Sequence, residues 1–156
     1  MDFVSTKPLE VTTLALDALS ARNKLLAANV ANADTPDYSR VDLDFEGQLQ
    51  QIVQDLREND ATRSANSSTG IKLSNNFITS QDMNTKPLKS EDEILGQFNP
   101  EMISTSNNAV DSKNNNVNLE TEMAEVSKNG MKYTAVATLQ ERIFRGLQEL
   151  IRGAAT

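Results

Sequence analysis

The chain contains no cysteine, no histidine and no tryptophan. Without cysteine there is no disulfide, no thiolate nucleophile and no sulfur-ligated metal, and without histidine the commonest general base and metal ligand is also missing. Most hydrolytic and zinc chemistries are thereby excluded, and neither a cofactor nor an enzyme activity is expected. Aromatics make up 4% and hydrophobic residues 38% of 156 residues, too little for a large autonomous core yet too much for outright disorder. No stretch approaches the roughly 18 continuous apolar residues of a membrane span, so no transmembrane segment is expected. The start, MDFVSTKPLE, lacks a basic run followed by an apolar one, so no cleavable signal peptide is expected.

Positive charge is also scarce, and its distribution is uneven. The net charge of -7 lies wholly in residues 34–118, where fourteen acids face seven bases, while both ends are neutral. A basic patch interleaved with aromatics is absent, which argues against nucleic acid, and no convergent polar pocket points to a small-molecule substrate. Neutral ends can pack densely while an acidic middle stays hydrated.

What the chain does have is helical periodicity at its two ends. In residues 119–153, Leu119, Met123, Val126, Gly130, Tyr133, Ala137, Gln140, Phe144, Leu147 and Ile151 follow a strict 4-3 spacing, the seam period of helices packed along their length. A second seam, Val136, Leu139, Ile143, Gly146 and Leu150, runs beside it. In residues 9–33, Leu14, Ala18, Ala21, Leu25 and Ala28 form one line and Leu16, Leu19, Leu26, Val30 and Ala33 another. The predicted fold is mainly α, with the terminal helices forming an antiparallel, coiled-coil-like hairpin. One partner helix cannot cover two apolar faces, so the large residues of these seams are candidate assembly contacts: Leu14, Leu16, Leu19, Leu25, Leu26 and Val30 in the first helix, and Met123, Val126, Tyr133, Val136, Leu139, Ile143, Phe144, Leu147, Leu150 and Ile151 in the last. The competing reading is an ordinary helical bundle in which these stripes are core, but few other segments could cover the second faces.

Between the helices, residues 1–8 read as a mobile tail, and Pro36 stops the first helix by forcing Thr35 into an extended conformation. The alternation in Arg40 to Phe45 predicts a short extended segment with Val41, Leu43 and Phe45 on one side. Phe45, Leu49, Ile52, Val53 and Leu56 then predict a short amphipathic helix ending near Glu58, so that residues 34–58 form one unit of turn, strand and helix. Residues 59–118, rich in Ser, Thr and Asn, are expected to be polar and largely irregular, with apolar clusters at Ile71 to Leu73, Phe77 and Ile78, and Ile94 to Phe98 able to form a β-element or a short helix. Asn118 is the expected N-cap of the last helix, with Glu120 and Glu122 in its first turn.

Three groups invite a chemical reading. Asp42, Asp44 and Glu46 form an acidic run, but without the glycine and terminal glutamate of a calcium loop they read as a solvated strand face rather than a metal site. Glu120, Glu122 and Glu125 read as acids favoured by a helix N-terminus rather than as an acid/base pair. Asn29 and Asn32, three apart near a helix end, lie on one face and could bond the following turn, a neighbouring subunit, or the end of their own helix.

The stretch Ala28-Asn29-Val30-Ala31-Asn32-Ala33-Asp34-Thr35-Pro36-Asp37-Tyr38 resembles the N-terminal signature of the rod and hook family of bacterial flagellar axial proteins, with Asp37 in place of the usual Gly. Arg40 to Phe45, Asn115 to Met123, and Asn129 with Tyr133 and Ala135 look like the proximal rod branch of that family, with Asn118 where an Asp is usual. The resemblance marks Asn29, Asn32, Thr35, Pro36 and Tyr38 as the family motif and turn. It implies a non-enzymatic rod subunit of the flagellar basal body, lying in the periplasmic space and serving motility. Such a subunit is exported by the flagellar type III apparatus without signal cleavage, and assembles into the tube that transmits torque and conducts exported subunits. The implied partners are other proximal rod proteins, the rod-to-ring adaptor, the membrane-ring protein and the export apparatus. A soluble helical adaptor or export-linked module that does not polymerise is the alternative from a different class.

Overall fold

The computed structural model describes residues 7–68, 89–104 and 114–153 of the chain. The first helix, α1, spans Lys7–Ala31, and the last, α4, spans Leu119–Gly153. They pack side by side as an antiparallel hairpin: Asn29 meets Glu122, Leu19 meets Asn129, and Thr13 meets Gln140. At about 1.5 Å per residue α4 is roughly 15 Å longer than α1, so its C-terminal end overhangs.

Local chemistry sets the helix boundaries. Pro8 sits in the first turn of α1, where its missing N–H costs nothing. Helical geometry stops at Ala31 rather than Ala33, and tight turn bonds take over, Ala33 N–H to Val30 C=O at 3.3 Å and Thr35 N–H to Asn32 C=O at 3.0 Å. Asp37 then takes the left-handed conformation at φ 57°, which an aspartate tolerates better than most residues. Asn118 caps α4 as expected, its side-chain oxygen accepting from the Thr121 N–H at 3.0 Å.

The strand β1, Val41–Asp44, pairs antiparallel with β2, Glu101–Ser104, in the register Val41 opposite Ser104. Leu43 and Phe45 turn inward and join Ala18 and Leu19 in one buried cluster, with Leu25, Phe98 and Val136 against it. A second cluster of Ile52, Leu56 and Ile94 joins α2, Glu46–Ser68, to the short helix α3, Glu91–Leu95, with Val11 and Phe98 packed alongside. Phe98 thus bridges the two clusters.

The described part of the middle of the chain is more regular than its composition suggests. α2 runs ten residues past Glu58, through a segment with no apolar stripe, so the boundary expected there falls inside a helix. Ion pairs hold this polar extension: Lys7 with Asp60 at 2.5 Å and Glu91 at 2.9 Å, and Arg63 with Glu91 at 3.7 Å. Ile94 to Phe98 resolves as a helix and turn, whose N-cap Ser90 accepts from the Glu93 N–H. The clusters at Ile71 to Leu73 and at Phe77 and Ile78 lie outside the described residues, as do residues 1–6 of the expected tail.

Candidate functional site

The two ends of the α1/α4 hairpin differ in chemistry. At the closed end, where α1 stops and α4 starts, the signature residues build a buried polar junction. Asn29 is fully buried and uses all its hydrogen-bonding capacity. Its Nδ2 donates to Val41 C=O at 2.8 Å and to Glu122 Oε2 at 2.9 Å. Its Oδ1 accepts from the Val41 N–H at 3.1 Å and the Tyr38 hydroxyl at 3.2 Å. The amide therefore pairs with Val41 as a neighbouring strand would, fixing β1 against α1.

Asn32 does something different. Its Nδ2 bonds the Ala28 carbonyl of its own helix at 2.8 Å, and its Oδ1 accepts from Thr35 Oγ1 at 3.1 Å. It caps α1, while Asn29 reaches across to β1 and α4. Pro36 is exposed in the turn between them. Asn115, buried, braces the turn that follows by donating to the carbonyls of Asn32, Ala33 and Thr35, each at 2.9 Å.

Glu122 is fully buried and is held by Arg40 as well as Asn29. Arg40 also reaches Asp42 at 3.0 Å, and Asp42 receives a two-pronged bond from Arg22 at 2.8 and 3.0 Å. Arg22 approaches Glu125 and Glu46, each at 3.5 Å. Burial alone would raise the Asp42 carboxyl, but hydrogen bonds from Arg22, the Leu43 amide and Arg40 together hold it below the ordinary carboxylate range. Glu125 is also held low, chiefly by its hydrogen bond from Lys128. Asp42 thus belongs to an ion network rather than to the solvated face expected of it, and Glu122 is a buried partner rather than a generic first-turn acid. Among the described residues no cluster of acids could hold a metal ion, and no helix is long and apolar enough to cross a membrane.

The expected assembly contacts are spread along the whole hairpin, and the exposed ones lie on α4. Leu19 and Leu26, expected as assembly contacts, are core residues at 2% and 0% exposure, so no neighbour can reach them in this fold. Leu14, Leu16, Leu25, Val30, Val126, Val136, Ile143 and Leu147 are half-buried. Met123, Tyr133, Leu139, Phe144, Leu150 and Ile151 are exposed, with Phe144 at 51% and Ile151 at 66%. A cleft of about 490 Å³ opens between α1, α2 and α4, walled by Pro8, Val11, Val53, Leu56, Leu139 and Ile143. Sequence reasoning missed Arg22, Arg40, Asn115 and Asn129 as site residues. The signal for Asn129 was present: extending the second seam backward from Val136 in steps of seven gives Asn129 and then Glu122.

No protein-family profile matches the chain. Curated relatives do. The chain is similar to the flagellar basal body rod protein FlgB of Borreliella burgdorferi, 28% identical over 144 residues, spanning 88% of this chain and 90% of that protein. It is likewise similar to FlgB of Salmonella typhimurium, 26% identical over 139 residues covering 89% and 88% of the two chains. To FlgB of Escherichia coli it is 48% identical over a shorter stretch of 48 residues, 31% of this chain and 33% of that one.

Proposed function

Because the chain belongs to the FlgB family of flagellar basal body rod proteins, we propose that it is a proximal rod subunit whose terminal helices pack against neighbouring subunits to build the wall of the axial tube. The observation that carries this reading is the apolar surface α4 leaves open, where Tyr133, Phe144 and Ile151 on its first seam and Leu139 and Leu150 on its second stay exposed although α1 is already in place. Soluble proteins rarely leave large apolar side chains in so extended a row without a partner. Burying about 300 Å² of that surface per neighbour would contribute about 7 kcal/mol before the costs of association are subtracted. In this reading the chain transmits torque and lines the export conduit, and reaches the periplasmic space through the flagellar export apparatus without a cleaved signal. Its neighbours are other proximal rod proteins, the rod-to-ring adaptor and the membrane-ring protein.

The test is a double substitution, Phe144→Ser with Ile151→Ser, expressed in place of the parent chain. Circular dichroism of the purified variant should match the parent, while imaged basal bodies should lack the subunit. Normal incorporation of a folded variant defeats the reading. A saturable one-to-one complex with a single partner, in place of helical assembly with rod proteins, would favour the non-polymerising adaptor.

A further inference from the structure

Glu122, Asn129, Val136, Ile143 and Leu150 stand seven residues apart in one column of α4 that faces α1 or continues that line beyond it. The first two are buried at 0% and 2% exposure, the next two half-buried, and the last exposed. Asn129 donates from Nδ2 to the Leu19 carbonyl at 2.9 Å, but its Oδ1, also buried, has no partner among the described residues. A buried acceptor without a donor costs more than an apolar side chain of similar size would. Stability does not account for an asparagine here.

We propose that Glu122 and Asn129 are the register lock of the hairpin: they choose which residues of α4 meet which residues of α1. The apolar half of the column cannot choose, because a slip of seven residues replaces Val136 by Ile143 or Ile143 by Leu150 with little change in packing. The polar half can. A slip one way carries Glu122 away from Arg40 into the place of Asn129, where a buried carboxylate faces the Leu19 carbonyl, an acceptor, in place of a donor. A slip the other way carries Glu122 out past the turn, stranding Arg40 and Asn29, and sets Val136 against the Leu19 carbonyl. A chain displaying apolar helix faces at heptad spacing has many wrong pairings available, within itself and with other copies. A polar pair one heptad apart penalises those that shift the register. The inference concerns pairing within the chain and does not depend on the rod reading.

The absence of native cysteine lets register be read by cross-linking. In the full-length chain, Thr13→Cys with Gln140→Cys reports the native register, since those side chains touch at 3.1 Å. Thr13→Cys with Leu147→Cys, or with Tyr133→Cys, reports a seven-residue slip either way, a displacement of about 10 Å that a short bis-thiol reagent resolves. In the parent only the native pair should react. In Glu122→Leu with Asn129→Leu, the slipped-to-native yield should rise about tenfold. A double variant that stays helical by circular dichroism and links only through the native pair overturns the proposal. Should that variant lose its helical signal, a transposed variant decides: Glu122→Val, Asn129→Glu and Val136→Asn move the polar pair one heptad along α4. The dominant link should then pass from position 140 to position 147. Retention of the native link, or failure to fold, overturns the lock.

Discussion

One column of α4 is buried and polar at the closed end of the hairpin, in Glu122 and Asn129, and apolar and increasingly bare toward the open end, in Val136, Ile143 and Leu150. The contrast separates two tasks that a helical hairpin is usually assumed to perform with the same residues. Apolar contacts supply most of the free energy of packing but discriminate weakly between registers. Buried polar groups add little net stability once their desolvation is counted, yet they penalise wrong partners heavily. The closed end fixes the shape of the subunit. The open end leaves Leu139, Phe144, Leu150 and Ile151 exposed.

That division is most exposed to failure at Arg40. Arg40→Ala leaves the buried Glu122 carboxylate with only the Asn29 amide to balance it, and breaking such a pair by removing one partner costs about 4 kcal/mol. Denaturant titration should show the loss as a lower midpoint. A shift of less than about 1 kcal/mol would mean that the closed end is no stiffer than an ordinary surface ion pair. Asn29→Leu is next in size. It removes four hydrogen bonds and strands the Val41 N–H and C=O, at a cost of about 3 kcal/mol. Because Asn32 caps its own helix end, Asn32→Leu should cost only about 1 kcal/mol, and equal effects at the two positions would contradict the different geometries described for them.

At the open end the same measurement should hardly move. Ile151→Ser removes a side chain that is 66% exposed near the C-terminal end of α4, so the unfolding free energy should change by less than about 0.5 kcal/mol. Native-state hydrogen exchange should find the amides of residues 149–153 exchanging far faster than those of residues 122–136, because this end of α4 runs past the start of α1. Protection of equal strength along all of α4 would remove the distinction between the two ends.

Much of this was legible in the sequence, and the illegible part has a common cause. The pairing of α1 with α4, the inward Leu43 and Phe45, and the Asn118 cap all follow from patterns in which apolar residues or backbone-seeking side chains declare themselves locally. The face of α4 that meets α1 did not, because the rule that apolar residues point inward selects Met123 and Tyr133 while burial goes to Glu122 and Asn129. Their justification is Arg40, Asn29 and the Leu19 carbonyl, up to 110 residues away in the chain. β2 escaped for the opposite reason. All four of its residues are exposed, so no alternation of buried and open positions marks them as a strand. The extension of α2 past Glu58 rests on ion pairs with Lys7 and Glu91 that no local window contains.

The smallest expected effect sharpens the comparison because the two ends should respond to pH in opposite directions. At the closed end the Asp42 carboxyl is held low: burial opposes this, and hydrogen bonds from Arg22, the Leu43 amide and Arg40 outweigh it. A group depressed in the folded state contributes stability that is fully present above its unfolded value and is lost as pH falls through the folded one, here below about pH 4. At the start of α1, near the open end, Lys7 is held high, first by its hydrogen bond to Asp60 and then by that to Glu91. A group raised in the folded state contributes stability present below its unfolded value and lost as pH rises through the folded one, here above about pH 10. Acid should therefore loosen the junction of β1 with the two long helices, whereas alkali should loosen the contact of α1 with α2 and α3. Lys7 is tied to partly exposed carboxylates, so solvent screening keeps the alkaline effect the smaller of the two. Urea titrations of the parent, Asp42→Asn and Lys7→Met across this range would separate the two responses. The parent's acid-side loss should shrink in the first variant and its alkaline-side loss in the second. If either variant lost both responses, the ends would be coupled through α1 rather than independent.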